Sequence, residues 1–242
     1  MRDVTDDLML LHGFTHTGAS WSRVGAALGE RYRPLAPDLP GHGRAGAVRP
    51  ADLTRALAGL RPLLGDGVVL GGYSMGGRIA LHLALAEPAR IRRLVLVGAS
   101  PGLADPQERA RRRAADDALA DEVQASTAEA FARRWARTPV LAGLPDDVAA
   151  EVHADRLRST ADGLAAALRG LGTGALPSLW DRLDELTMPV TLVAGGRDEK
   201  FRAIAGRMAA GLPAAKVIVV PGAGHAVHLE APDAVAEVLA AG

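Results

Sequence analysis

Short apolar runs punctuate this chain at intervals that few architectures accommodate. Leu8-Met9-Leu10-Leu11, Val68-Val69-Leu70, Leu94 to Val97, Val190 to Ala194 and Val217 to Val220 are too brief for buried helices. Most are β-branched and bordered by Gly or Pro, as are strands covered on both faces of a parallel sheet. Tyr32 to Pro37 is a weaker candidate. Helical patterning fills the stretches between them, at 20–30, 52–64, 75–87, 199–211 and 232–241. This alternation predicts an α/β fold, a mostly parallel sheet flanked by helices. The 242 residues suit one domain, and 48% hydrophobic residues supply its core.

The middle of the chain breaks the pattern. From about 103 to 180 there is no convincing strand, and the composition is rich in Ala and Arg. Ser126-Thr127-Ala128-Glu129 reads as a capping box, followed by Phe131 and Trp135 on one helix face. Residues 100–178 are therefore expected to be a helical cap inserted into a core formed by 1–99 and 179–242. Ser100-Pro101-Gly102 and Thr173-Gly174-Ala175-Leu176-Pro177 are the expected joints.

Lys+Arg and Asp+Glu both number 28, so the net charge is zero. This balance argues against nucleic-acid and membrane-surface partners. The absence of Cys excludes disulfides, thiolate metal sites and a Cys nucleophile. The first ten residues carry acids where a signal peptide has a basic start, and no apolar run is long enough to span a membrane. A cytoplasmic protein with no obligate protein partner is expected.

Gly72-Tyr73-Ser74-Met75-Gly76 fits G-x-S-x-G directly after a strand and before a helical pattern. That context makes it a nucleophile elbow, whose turn is too tight for side chains two residues either side of the serine. A serine hydroxyl needs a base. His225, in Pro221-Gly222-Ala223-Gly224-His225, follows the run ending at Val220. His228 is its rival but lacks the glycine approach. His12, His16, His42, His82 and His153 read as core or pocket-lining residues. Asp198, after Gly195-Gly196-Arg197, supplies the carboxylate that fixes the imidazole tautomer. Asp38 precedes the serine and is expected to shape a loop. The backbone N–H groups of Met75 and of Phe14, in Leu11-His12-Gly13-Phe14, would form the oxyanion hole.

The set LHGF, DLPGHG, GYSMGG, GRD and GAGH resembles the α/β-hydrolase superfamily across most of the chain. Longer stretches narrow the resemblance: Gly72 to Arg78, Ser100 to Leu103, Glu108 to Arg112, Arg156-Leu157-Arg158, Leu171 to Gly174, Asp198 to Phe201 and Gly224 to Glu230. Together they are similar to the SHCHC synthases of menaquinone biosynthesis, the MenH family. The resemblance implies elimination of pyruvate from an enolpyruvyl cyclohexene carboxylate, with no metal and no cofactor. It also implies a cationic pocket for a small polycarboxylate. Arg78 lies one helical turn after Ser74, and Arg112 begins a stripe with Ala115, Leu119 and Val123. Arg158 is the third cation, with Arg156 as competitor because the Arg-Leu-Arg register is open. Tyr73 is expected to reach the site and Trp135 to wall it. The family's aromatic pair is Trp135-Ala136 here, and only eleven residues precede His12, so a reduced leading hairpin is expected. A carboxylester hydrolase using the same triad, a non-catalytic metabolite binder, and a metal hydrolase using His12, His16, His225 and His228 are the alternatives.

Overall fold

The computed structural model describes residues 7–138 and 144–241. The expectations for the leading hairpin and for part of the cap fall on residues 1–6 and 139–143, which lie outside the described residues, as does Gly242. One sheet of five strands is present among the described residues, in the order β1 (Leu8–Leu11), β2 (Val68–Tyr73), β3 (Ile91–Val97), β4 (Val190–Gly195) and β5 (Ala215–Val220). Every neighbouring pair is parallel.

The expected strand over Tyr32 to Pro37 shrinks to one bridge between Leu35 and Met9. Pro34 and Pro37 lack N–H donors, so pairing is limited to Leu35 N–H on Leu8 O (2.8 Å) and Leu10 N–H on Leu35 O (2.9 Å). The bridge still matters. The chain leaves β1 to one side at Leu35 and returns across it to β2. The crevice beyond the carboxyl ends of β1 and β2 is therefore a topological switch point, where open α/β sheets place their ligands.

Ten α-helices surround the sheet among the described residues: α1 (Ser22–Leu28), α2 (Leu53–Leu60), α3 (Met75–Ala86), α4 (Pro106–Gln124), α5 (Ala128–Trp135), α6 (Asp146–Arg156), α7 (Ala161–Leu171), α8 (Glu199–Ala209), α9 (Val227–Glu230) and α10 (Pro232–Ala240). Strand side chains alternate between two cores, as a period of two requires. Met9, Leu11, Leu70, Leu94, Leu96 and Leu192 pack with α2, α3 and α8. Leu8, Leu10, Val69, Val95, Val97 and Val193 pack with α1, α9 and α10. Burial of each such Leu or Val contributes about 1.5–3 kcal/mol.

All four helices between β3 and β4, and no strand among the described residues there, occupy the segment expected to be helical. Ala120 and Val123 of α4, Phe131 of α5, and Leu164, Ala165 and Leu168 of α7 form its own small core. Its two connectors are stitched together. Leu179 N–H donates to Pro101 O (2.8 Å), and Trp180 Nε1–H donates to Gly102 O (3.0 Å).

The cap of α5 lies one residue later than the capping box implied. Thr127 accepts from Ala130 N–H (3.1 Å), while Ser126 Oγ turns back to Val123 O (3.0 Å). Glu129 is thus freed from reciprocal capping and pairs with Arg133 (2.6 Å). The four-residue α9 has no readable period and was not expected.

Candidate active site

The elbow sits where β2 feeds α3. Ser74 adopts φ 51° and ψ −109°, a conformation that non-glycine residues seldom hold. Its N–H donates to Val97 O (2.9 Å) and its carbonyl accepts from Arg78 N–H (3.1 Å), so the bend is held from both sides. The flanking glycines follow from sterics. A Cβ at Gly76 would lie 2.2 Å from Leu11 O, and one at Gly72 would lie 2.7 Å from Gly76 O. The serine heads α3, where the helix dipole favours negative charge.

Two loops bring the partners of Ser74. Asp198 Oδ2 lies 2.7 Å from His225 Nδ1, and His225 Nε2 lies 3.4 Å from Ser74 Oγ. A carboxylate on Nδ1–H leaves the Nε2 lone pair facing the serine. Burial pushes the Asp198 carboxyl up, but hydrogen bonds from His225 and Phe201 N–H outweigh it and hold the group below its ordinary range. Gly98 explains how the imidazole fits. Its φ is +54°, and a Cβ there would meet His225 Cε1 at 3.0 Å.

Glu230, at the end of the stretch Gly224 to Glu230, has a structural task of its own. Its carboxylate accepts Gly224 N–H (2.7 Å) and pairs with Arg197 (2.6 Å), tying the His225 loop to the Asp198 loop. A glutamate five residues after the histidine, with an arginine beside the aspartate, was the available signal.

The loop after β1 carries the second proposed oxyanion donor. Leu39 N–H donates to His12 Nε2 (2.9 Å), so the ring proton is on Nδ1, which lies 2.9 Å from Gly13 O. His16 N–H also donates to Gly13 O (3.2 Å). With that carbonyl held on one side, the Phe14 N–H of the same trans peptide points to the other. A Cβ on Gly13 would lie 3.6 Å from Ser74 Cβ, so this peptide borders the nucleophile. Burial lowers His12 to about 4, which keeps it a neutral acceptor. Asp38 shapes the loop as expected, accepting Gly18 N–H and Arg44 N–H (both 2.9 Å).

Aromatic rings line the approach. Phe14 packs edge-on against Trp135 at 5.3 Å and Phe131 at 6.3 Å, joining the β1 loop to α5. Tyr73 is buried beside His225, ring centroids 5.4 Å apart. Burial, first of all, raises its phenol above the ordinary range, so the hydroxyl keeps its proton.

The arginines divide. Arg78 is half-buried on α3, and its Nε has no partner among the described residues. Burial and then the charge of Arg112 lower it to about 10, partly offset by Asp116. Arg112 pairs with Asp116 (2.8 Å), which also accepts Gly174 N–H (3.1 Å). The stripe expected from Arg112 through Ala115 is not the buried one. Asp116 and Ala120 face inward together with Val123, the one buried member of the expected stripe, while Arg112 keeps 45% of its side chain exposed and pairs with the buried Asp116 carboxylate.

Arg158, expected among the substrate-binding cations, lies at the surface. Its side chain is 64% exposed, pairs loosely with Asp155 at 3.8 Å and lines an outer cleft with Arg23 and Glu151. Arg156 is the inward member: it is 3% exposed, and its Nε and Nη2 have no partner among the described residues. α6 ends at Arg156, so Arg158 follows the turn away from the interior. The residue before Arg156 ties this end of α6 to the loop after β1. Asp155 accepts Thr17 N–H (3.0 Å) and Thr17 Oγ, and contacts His16 Nδ1 (3.3 Å). Burial draws the Arg156 guanidinium below its ordinary range, against the opposing pull of Tyr73 and Asp155.

The assembled geometry offers a serine–imidazole–carboxylate relay beside the N-terminus of α3 and the Gly13–Phe14 peptide, with buried guanidinium atoms on Arg78 and Arg156. No helix among the described residues is long and apolar enough to cross a membrane. The profile described as the alpha/beta hydrolase family matches residues 8–238. An Escherichia coli protein named 2-succinyl-6-hydroxy-2,4-cyclohexadiene-1-carboxylate synthase is 35% identical over 239 residues, covering 96% of this chain and 92% of that one. A Bacillus subtilis protein given the same name provisionally is 37% identical over 240 residues, covering 95% of this chain and 87% of that one. The structure of MenH from S. aureus superposes with a TM-score of 0.92 at 31% identity, covering 97% of this chain and 92% of that chain.

Proposed function

Since the chain belongs to the alpha/beta hydrolase family, we propose, from its synthase relatives, that it is a carbon–oxygen lyase. It eliminates pyruvate from 2-succinyl-5-enolpyruvyl-6-hydroxy-3-cyclohexene-1-carboxylate to give 2-succinyl-6-hydroxy-2,4-cyclohexadiene-1-carboxylate. The observation that supports the site's part in this is the pair of buried guanidinium edges without a hydrogen-bond partner among the described residues, Arg78 Nε on α3 and Arg156 Nε–Nη2 next to Tyr73. Buried charge without a carboxylate partner is costly, and an incoming polyanion relieves that cost. A neutral ester makes no use of it.

The bond changes define the task. Moving from a 3-ene to a 2,4-diene with loss of the C5 oxygen substituent requires a proton to leave C2, next to the succinyl ketone. Ser74 Oγ takes that proton while its own passes to His225 Nε2, and Asp198 steadies the resulting imidazolium. The ketone oxygen gains charge as the enolate forms, and the Phe14 and Met75 N–H groups receive it. Electrons then collapse from C2 through C3 and C4, the C5–O bond breaks, and pyruvate enolate departs. The proton on His225 returns through Ser74, which restores the starting state and converts the leaving enolate to pyruvate. Arg78, Arg112 and Arg156 hold the carboxylates, and Tyr73 and Trp135 flank the ring. Residues 100–178 act as the cap over this crevice, and the polycarboxylate is met in the cytoplasm.

Pyruvate release from the enolpyruvyl substrate, followed with lactate dehydrogenase and NADH, tests the reading. Stoichiometric pyruvate is expected, falling at least 1,000-fold in Ser74→Ala, in line with loss of an activated nucleophile or base. Turnover of nitrophenyl esters with no pyruvate formed would instead assign a carboxylester hydrolase.

A further inference from the structure

His228 lies outside the relay, yet it is fully buried beside it, with neither ring nitrogen partnered among the described residues. Its ring stacks on Tyr73 with centroids 4.1 Å apart and planes 38° apart. Trp21 backs it on another side at 4.8 Å, and His16 meets it edge-on at 6.1 Å. Besides an edge-on contact from His16 at 6.2 Å, three surfaces enclose Tyr73. One is His225. The second is the Gly13 peptide, where a Cβ would come within 2.7 Å of the tyrosine ring. The third is His228. The first two belong to the proposed machinery, and Tyr73 is covalently joined to Ser74.

We propose that His228 is a positioning residue: the flat face of its ring sets Tyr73, and through Tyr73 the spacing of Ser74, His225 and the Gly13–Phe14 peptide. This rests on the relay assigned above and goes beyond it. The ring acts as a planar spacer, which is why its unpartnered nitrogens are tolerated. Burial, foremost, together with the neighbouring histidines, keeps it uncharged. An aliphatic side chain fills similar volume but presents no plane, so Tyr73 is free to tilt toward the position the imidazole leaves.

The test uses the full chain with His228→Leu and His228→Phe. Two readouts are taken: kcat and KM for pyruvate release, and the rate at which phenylmethanesulfonyl fluoride modifies Ser74, measured by mass spectrometry. Labelling reports the serine–histidine geometry without reference to the natural substrate, so failure of the lyase reading leaves it interpretable. In His228→Leu, kcat and the labelling rate are each expected to fall about tenfold with KM within twofold, since small misplacements of reacting groups carry such factors. His228→Phe restores both to within about threefold of the parent, because a ring face without nitrogens suffices. Parent-like labelling in a folded His228→Leu protein overturns the proposal. So does His228→Phe labelling as slow as the leucine variant, and that result stands even if His228→Leu fails to fold.

Discussion

Replacing Arg156 with methionine separates binding from folding more sharply than any other single change in this site. The Nε and Nη2 groups are buried and unpartnered among the described residues, and an unsatisfied buried donor costs about 1–3 kcal/mol. Methionine matches much of the arginine stem and removes both donors and the charge. Some attraction to Asp155 is lost, but that carboxylate keeps its bonds from Thr17 and His16. The net expectation is a gain in folded stability of about 1–3 kcal/mol, or a Tm raised by about 3–10 °C for a chain of this size. Binding moves the other way. A charge-assisted contact to a substrate carboxylate contributes about 1.5–3 kcal/mol, so kcat/KM for pyruvate release drops roughly 10- to 150-fold. Thermal melts without ligand and steady-state kinetics on one preparation give both numbers. A variant with lower Tm and kcat/KM within twofold of the parent would refute the reasoning, since Arg156 would then be structural.

Further outcomes follow from other parts of the site. Gly98→Ala puts a methyl 3.0 Å from His225 Cε1 at a φ of +54°; Ser74 labelling and pyruvate release should both fall more than tenfold, an effect expected when a base is displaced by a fraction of an ångström. Arg158→Ala should leave KM within twofold, because that side chain is mostly in solvent; a tenfold rise would return it to the pocket. Asp155 is held at about 2, burial opposing but hydrogen bonds from His16 and Thr17 prevailing. Its folded value is depressed, so the stability it adds is complete above about pH 4 and is lost as pH falls toward 2. Asp155→Asn should therefore cost about 2 kcal/mol at pH 7 and nearly nothing at pH 2, checked by urea denaturation at both.

Much of this was legible in the residues for physical reasons. Buried parallel strands must be continuously apolar, so β1, β2, β3 and β4 announced themselves. A bend like that at Ser74 needs glycine two positions either side, so the elbow did too. What escaped depended on where a helix stops or what packs across from it. The choice between Arg156 and Arg158 turned on α6 ending at Arg156, which no local pattern dictates. Arg112 looked like the start of a core stripe, whereas the buried member of its turn is Asp116, whose carboxylate is satisfied by Gly174 from a distant loop. The role of His12 was similarly invisible, because it acts on the Leu39 N–H of another loop. Pro34 and Pro37 could have warned that Tyr32 to Pro37 would not make a full strand.

The stitching of Pro101 to Leu179 and of Gly102 to Trp180 means that the helical segment departs from and rejoins the sheet at nearly one point. A segment whose two ends lie together can change in length while the strands beneath keep their register, although contacts such as Thr17 with Asp155 and Arg23 with Glu151 also seat it on the core. On the proposed reading, the strands that align the reacting groups and the helices above them are, in that sense, separately editable. A transplanted helical segment cut at these two residues is where a new specificity would be built on an unaltered relay.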